Sequence, residues 1–275
     1  MSPRVATRGL WAVWPLLGLA AAACVQENPD GAGGGQAVTQ RVDRTSGWER
    51  PRCDERQAER SRMVQGQIAA RGVRDRAVLE AMGNVPRHWF MPESVQSAAY
   101  ADRPVPIGEG QTISQPYIVA FMTEALGLNR DSKVLEVGTG SGYQAAVLAE
   151  ITPHVFSIEI VAPLAKRAMR IFERRGYKTI KTRMGDGYAG WLEHAPFDAI
   201  IVTCAPDHIP QKLVEQLKPG GRICIPVGSQ WRGQWLRLVT KKGDGALETA
   251  DLIPVRFVPM TGEAEHPRDG GRGKR

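Results

Sequence analysis

The stretch Val134-Leu135-Glu136-Val137-Gly138-Thr139-Gly140-Ser141-Gly142 limits what this chain can fold into more than any other. An apolar run, Lys133–Val137, meets three alternate glycines and passes into a helical pattern over Gly142–Glu150. A buried strand that turns directly into a helix belongs to an α/β sheet, not to a bundle or a sandwich. The glycines permit a tight turn and close approach of backbone to a ligand. Taken alone, they are also consistent with a βα turn that binds nothing.

The flanking sequence agrees with an α/β sheet. Strands over His154–Ile158, Lys178–Arg183, Phe197–Val202 and Arg222–Val227 alternate with helices over Ala162–Arg175 and His208–Leu217. This alternation predicts a mostly parallel sheet with helices on both faces. Leu236–Thr240 and Leu252–Val258, joined across Gly243–Gly245, add an antiparallel edge. Helices over 55–71 and Asp75–Met82 form an N-terminal helical extension, and the prolines between 84 and 110 make that segment loop. Ser114-Gln115-Pro116 then opens a helix, with Ser114 as its N-cap.

Two acids stand at the ends of later strands. Glu159 follows Gly138 by about twenty residues, the separation at which a carboxylate meets a ribose diol. An exposed acid beside a helix is the alternative. Asp186, between Gly185 and Gly187, is placed to accept from an adenine amino group or simply to make a turn. Signals at the ends of three successive strands fit a ligand at the carboxyl edge of the sheet.

Composition narrows the class. The 275 residues are 42% hydrophobic and 24% charged, which excludes a disordered or collagen-like chain. Four cysteines are too few for a disulfide scaffold. The net charge of +7 invites a nucleic-acid partner, but no basic stripe interleaved with aromatics is visible along the sequence. The five histidines show no metal-ligand spacing.

The ends read differently. Arg4 and Arg8 precede a short apolar run from Leu10 to Ala23, so residues 1–24 are signal-like. Ala21-Ala22-Ala23-Cys24 resembles a lipoprotein signal, with Ala21 where leucine is usual, and makes Cys24 a possible membrane anchor. Residues 25–51 read as a flexible linker, 52–261 as the folded domain and 262–275 as a disordered tail. A start further down, at Met63, is the alternative to export.

The spacing G-x-G-x-G differs from the dinucleotide fingerprint, because its third glycine comes one residue early. With the acid Glu136 before the turn, it resembles motif I of the class I, Rossmann-like methyltransferases, which implies S-adenosylmethionine as methyl donor. Gly108-Glu109-Gly110-Gln111-Thr112-Ile113-Ser114-Gln115-Pro116, Gly185-Asp186-Gly187, Pro196-Phe197-Asp198-Ala199-Ile200, Lys218-Pro219-Gly220-Gly221 and Val255-Arg256-Phe257-Val258-Pro259 narrow this further. Together they resemble the protein-L-isoaspartate O-methyltransferase family over roughly 60–261. Thr-Ile-Ser-Gln-Pro is the most specific of these segments.

The resemblance implies methyl transfer to the carboxylate of L-isoaspartyl residues in damaged proteins. The ester re-forms a succinimide, which opens to Asp. It puts the catalytic serine on Ser114 and the substrate near Thr112, Thr203 and Arg256. It implies a donor site of Glu136, Gly138, Thr139, Gly140, Gly142, Glu159, Asp186 and Gly187, and no metal. It also implies isoaspartyl proteins and peptides as partners, no nucleic acid, a monomer and a cytoplasmic location. The cell envelope or periplasm is the alternative that the signal-like segment raises. Rival functions are a class I methyltransferase with another acceptor and a non-catalytic exported relic. Cys204 and Cys224 read as buried core thiols.

Overall fold

The computed structural model describes residues 39–43, 48–229 and 231–262. The chain divides into two units, Met1–Ala37 and Val38–Arg275, and every described residue belongs to the second. The signal-like segment, Cys24 and most of the linker and tail lie outside the described residues. Among those described, no helix is long and apolar enough to cross a membrane.

The first described elements are β1 (Thr39–Asp43) and β2 (Trp48–Arg52), an antiparallel pair. This hairpin corrects the linker boundary: ordered chain starts upstream of residue 52. Trp48 is buried, and the Arg52 Nη1 donates to Glu150 Oε1 at 2.8 Å, tying β2 to the body of the fold. α1 (Gln57–Met63) continues through wider and tighter turns to Arg71 and stops at Gly72, whose φ is 102°. α2 (Arg76–Asn84) is capped by Asp75, whose carboxylate accepts from the Val78 amide at 3.0 Å.

The segment read as loop, 84–110, contains β3 (Val105–Gly108), which pairs antiparallel with β4 (Gln111–Ile113) just beyond it. Their turn places Gly108, Glu109 and Gly110 at φ of 94°, 53° and 67°. Pro104 and Pro106 hid the hairpin, since proline usually demotes a strand; here Val105, Ile107 and Ile113 alternate inward and are buried.

Then follow α3 (Pro116–Leu126), β5 (Val134–Val137), α4 (Tyr143–Ile151), β6 (Val155–Glu159) and α5 (Ala162–Arg175). The remainder is β7 (Lys181–Met184), β8 (Phe197–Val202), α6 (Gln211–Glu215), β9 (Leu217–Ser229), β10 (Gly233–Lys241) and β11 (Leu247–Val255). The seven-stranded sheet has the order β11-β10-β9-β8-β5-β6-β7. Pairs from β7 through β9 are parallel, while β9–β10 and β10–β11 are antiparallel.

Side chains of the central strands alternate between two cores. Val134, Val155, Ala199 and Ile201 meet α4, α5 and the N-terminal extension. Leu135, Val137, Phe156, Ile158, Ile200 and Val202 meet α6. Both faces are therefore covered, as continuous apolar runs require.

The helix expected over His208–Leu217 is shorter, and β9 starts at Leu217. It runs through Pro219-Gly220-Gly221, which read as a stop. A Cβ on Gly221 would lie 2.9 Å from the Asp198 carbonyl oxygen, so a glycine lets β9 pass close to β8 where their register shifts.

Candidate active site

Strand order reverses between β5 and β8, and a cleft opens at the carboxyl ends of the parallel strands. Val137–Gly140 line it after β5, Ile158–Val161 after β6, Gly187 beyond β7, and Thr203 and Cys204 after β8. Gln111, Thr112, Ile113 and Ser114 close it from the β3–β4 hairpin.

The glycine turn is built for close approach. Gly138 and Gly140 have φ of 96° and 53°, conformations that side chains resist. A Cβ on Gly138 would lie 2.5 Å from Thr203 Oγ1, and one on Gly187 would lie 2.3 Å from Val137 Cγ1. Gly142 has a different role from the one expected. It does not line the cleft, and its Cβ would meet the Phe172 ring at 2.8 Å, so it lets α4 pack on α5.

Glu159 lines the cleft and is 6% exposed. Its Oε2 accepts from the Gly140 amide at 2.7 Å and its Oε1 from the Val161 amide at 2.8 Å. Each oxygen keeps a lone pair, so a carboxylate locked by two amides faces the space where a diol would lie. The exposed apolar side chain of Ile160 and the buried Met260 line the same cavity.

Glu136 sits beneath the turn instead of in the cleft. It is fully buried, and its Oε2 accepts from the Ser157 hydroxyl, which is itself hydrogen-bonded to Thr139. Its Oε1 has no hydrogen-bond partner of normal geometry. Burial pushes its carboxyl up to about 8, against the pull of the Ser157 hydroxyl and with a further push from Glu159. Asp186 is also absent from the lining. It caps the turn after β7 by accepting from the Tyr188 amide at 2.9 Å, and its neighbour Gly187 faces the cleft.

On the acceptor side, the N-cap of α3 is Gln115, not Ser114. Pro116 at the first helical position moves the start one residue on, and the Gln115 side chain donates to Asp102 Oδ1 at 2.8 Å. The Ser114 hydroxyl therefore caps nothing and has no hydrogen bond among the described residues. Thr112 is exposed at the rim. Thr203 lies deeper, and its hydroxyl donates to the Gly138 carbonyl at 2.6 Å. Arg256 is exposed and lines no part of the cleft, so the substrate role expected of it has no support in the geometry.

Tyr143, Gln144, Ile160 and Met260 line the cleft without any signal that sequence reasoning singled out, while Ile113 and Val258 lie in the quoted segments but were given no role. Cys204 lines it too, with its thiol pushed far up by burial and thus not nucleophilic. Among the described residues no cluster of three or more His, Cys, Asp or Glu gathers to hold a metal.

A seven-stranded sheet with this order and a glycine-turn cleft at its switch point defines a Rossmann-like, class I methyltransferase. A model of the family Protein-L-isoaspartate(D-aspartate) O-methyltransferase matches residues 58–265. The chain is 56% identical over 216 residues to a protein-L-isoaspartate O-methyltransferase of Opitutus terrae, covering 78% of this chain and 91% of the relative. It is 57% identical over 205 residues to one from a Picosynechococcus species, covering 74% and 91%. A solved protein-L-isoaspartate O-methyltransferase superposes with a TM-score of 0.67 at 32% identity, covering 74% of this chain and 66% of the other. A Plasmodium falciparum structure titled a putative protein-L-isoaspartate O-methyltransferase, in complex with S-adenosyl-L-homocysteine, gives 0.65 at 26% identity, covering 74% and 98%. This chain belongs to the protein-L-isoaspartate(D-aspartate) O-methyltransferase family.

Proposed function

We propose that this protein transfers a methyl group from S-adenosylmethionine to the free carboxylate of L-isoaspartyl residues in damaged proteins and peptides. The ester formed is the starting point for return to Asp through a succinimide. The observation that carries the reading is Ser114. Its unengaged hydroxyl lines the same cleft as the glycine turn, on the segment most specific to the family.

The donor site fits the residues present. Gly138, Gly140 and Gly187 line the cleft, Gly138 and Gly187 packing tightly on Thr203 and Val137 beneath it and Gly140 leaving open space above its Cα, and Glu159 offers two oriented oxygens. When bound, the donor supplies an electrophilic methyl group on a positively charged sulfur. The acceptor is already ionised, since a free carboxylate titrates near ~4. The protein therefore has no proton to remove. Its task is to orient the carboxylate and exclude water.

In this reading Ser114 donates one hydrogen bond to the acceptor carboxylate and Thr112 a second. The free amides at the start of α3 add a partial positive charge. The protein acts as a monomer in the cytoplasm, where the donor is made.

Ser114→Ala tests the acceptor site. Because the hydroxyl caps nothing, stability should change by less than about 0.5 kcal/mol. The turnover of an isoaspartyl peptide at saturation should fall by about 10- to 100-fold, the cost of a charge-assisted hydrogen bond. Chemical melts and saturation kinetics measure both. An unchanged rate at saturating peptide would remove Ser114 from catalysis.

A further inference from the structure

The arginines of α5 form a basic groove that the spread of charge along the sequence conceals. Arg167, Arg170 and Arg174 are spaced i, i+3, i+7 and so share one face of the helix, with Arg175 beside them. The groove they line has Trp89 and Ile171 among its apolar surfaces, with Arg175 stacked over the Trp89 ring at 4.0 Å. None of the four makes an ion pair with a carboxylate among the described residues. Arg170 and Arg174 are exposed and make no hydrogen bond there either. Burial disfavours the charge on Arg167 and Arg175, and their neighbours Arg170 and Arg174 oppose it further, with Glu109 and Glu55 offsetting part of the effect. A fold that keeps four guanidinium groups together with no carboxylate in ion-pair contact, and only Glu109 and Glu55 near enough to offset part of their charge, retains a repulsion that an anionic partner would relieve.

The groove and the active-site cleft share a wall. The Arg167 Nη2 donates to the Ile107 carbonyl at 2.7 Å, and its Nη1 would lie 3.9 Å from a Cβ on Gly108. The Ile107 side chain reaches the other way, with its Cδ1 3.9 Å from the position of a Cβ on Gly140 in the donor turn. The hairpin that holds Thr112 thus rests on Arg167. A polypeptide with its isoaspartyl residue in the cleft has this groove one strand away.

From this we infer that the α5 groove is a docking site for an acidic segment of the substrate polypeptide, separate from the site that binds the isoaspartyl residue. The inference rests on the proposed function. Its lining favours a polypeptide over a bare phosphate backbone, because guanidinium groups alternate with apolar surface, which suits acidic and apolar side chains in one chain. The site selects among damaged proteins by their charge and adds affinity without touching the reacting atoms.

The test compares two isoaspartyl peptides of one core sequence, one with a run of glutamates at both ends and one with a run of glutamines. The wild-type protein should show a kcat/KM for the acidic peptide about tenfold above that for the neutral one at low salt, through KM. The preference should vanish near ~1 M salt, where the screening length is about 3 Å. R170E/R174E should abolish or invert the ratio, and R170Q/R174Q should reduce it part of the way. A ratio unchanged in both variants would overturn the groove while leaving the function standing, even if an RNA oligonucleotide bound there. Turnover of neither peptide by the wild-type protein would overturn the function and this inference with it.

Discussion

Glu159→Gln should weaken S-adenosylmethionine binding by about 100-fold, on the order of 2–3 kcal/mol. Both carboxylate oxygens already hold backbone amides, Gly140 at 2.7 Å and Val161 at 2.8 Å. Glutamine keeps the shape but turns one acceptor into a donor, which faces an amide that also donates. One amide loses its partner beside a side chain that is only 6% exposed, and a donor without an acceptor is costly there. The remaining oxygen is neutral and accepts more weakly from a diol. Gly140 is in the turn itself, so its loosening reaches the rest of the donor site. Titration calorimetry with S-adenosylmethionine measures the loss. Affinity within threefold of wild type would take Glu159 out of the donor site.

Glu136→Gln should act in the opposite direction, and increasingly so as pH rises. In the unfolded chain this carboxyl titrates near ~4.3. In the folded protein burial raises it to about 8. Between these values the folded state holds a proton that the unfolded state has lost. Stability therefore falls as pH rises through that window and levels off above about 8. Glutamine has no proton to lose and keeps an acceptor for the Ser157 hydroxyl. Wild type and variant should match at pH ~4, below the window, and the variant should be more stable by a few kcal/mol at pH ~9. Urea melts at the two pH values decide it. A stability difference independent of pH would mean that Glu136 is ionised throughout.

These two acids illustrate what could be read in the sequence. Both were expected in the donor site, Glu136 from its place before the glycine turn and Glu159 from its spacing at the end of the next strand, yet only Glu159 lines the cleft. Glu136 falls on the strand face that points into the core of α4 and the N-terminal extension, and strand periodicity alone does not reveal which face meets a ligand. The parallel sheet, its antiparallel edge and the limits of α5 were legible, because apolar runs and glycine stops are local signals.

What was hidden depended on tertiary packing. The β3–β4 hairpin forms despite Pro104 and Pro106 because Val105, Ile107 and Ile113 are buried by the rest of the fold. β9 passes through Pro219-Gly220-Gly221 because β8 lies close enough to need a glycine. Ser114 was expected as a cap, but Pro116 passes that place to Gln115 and leaves the serine hydroxyl free. Arg256 was placed near the substrate by resemblance alone; it is exposed and is not among the residues that line the cleft, although Val258 and Pro259 of the same segment are. The α5 arginines are spaced along one helix, and only the packing of Trp89 against them makes a groove.

The central claim is that the cleft methylates the isoaspartyl carboxylate. Its most direct test uses S-adenosylmethionine labelled on the methyl group and two peptides of one sequence, one with isoaspartate and one with aspartate at the same position. The measured quantity is base-labile methyl ester. The account expects label on the isoaspartyl peptide alone. Label on neither, with the donor still bound, or equal label on both, would contradict it.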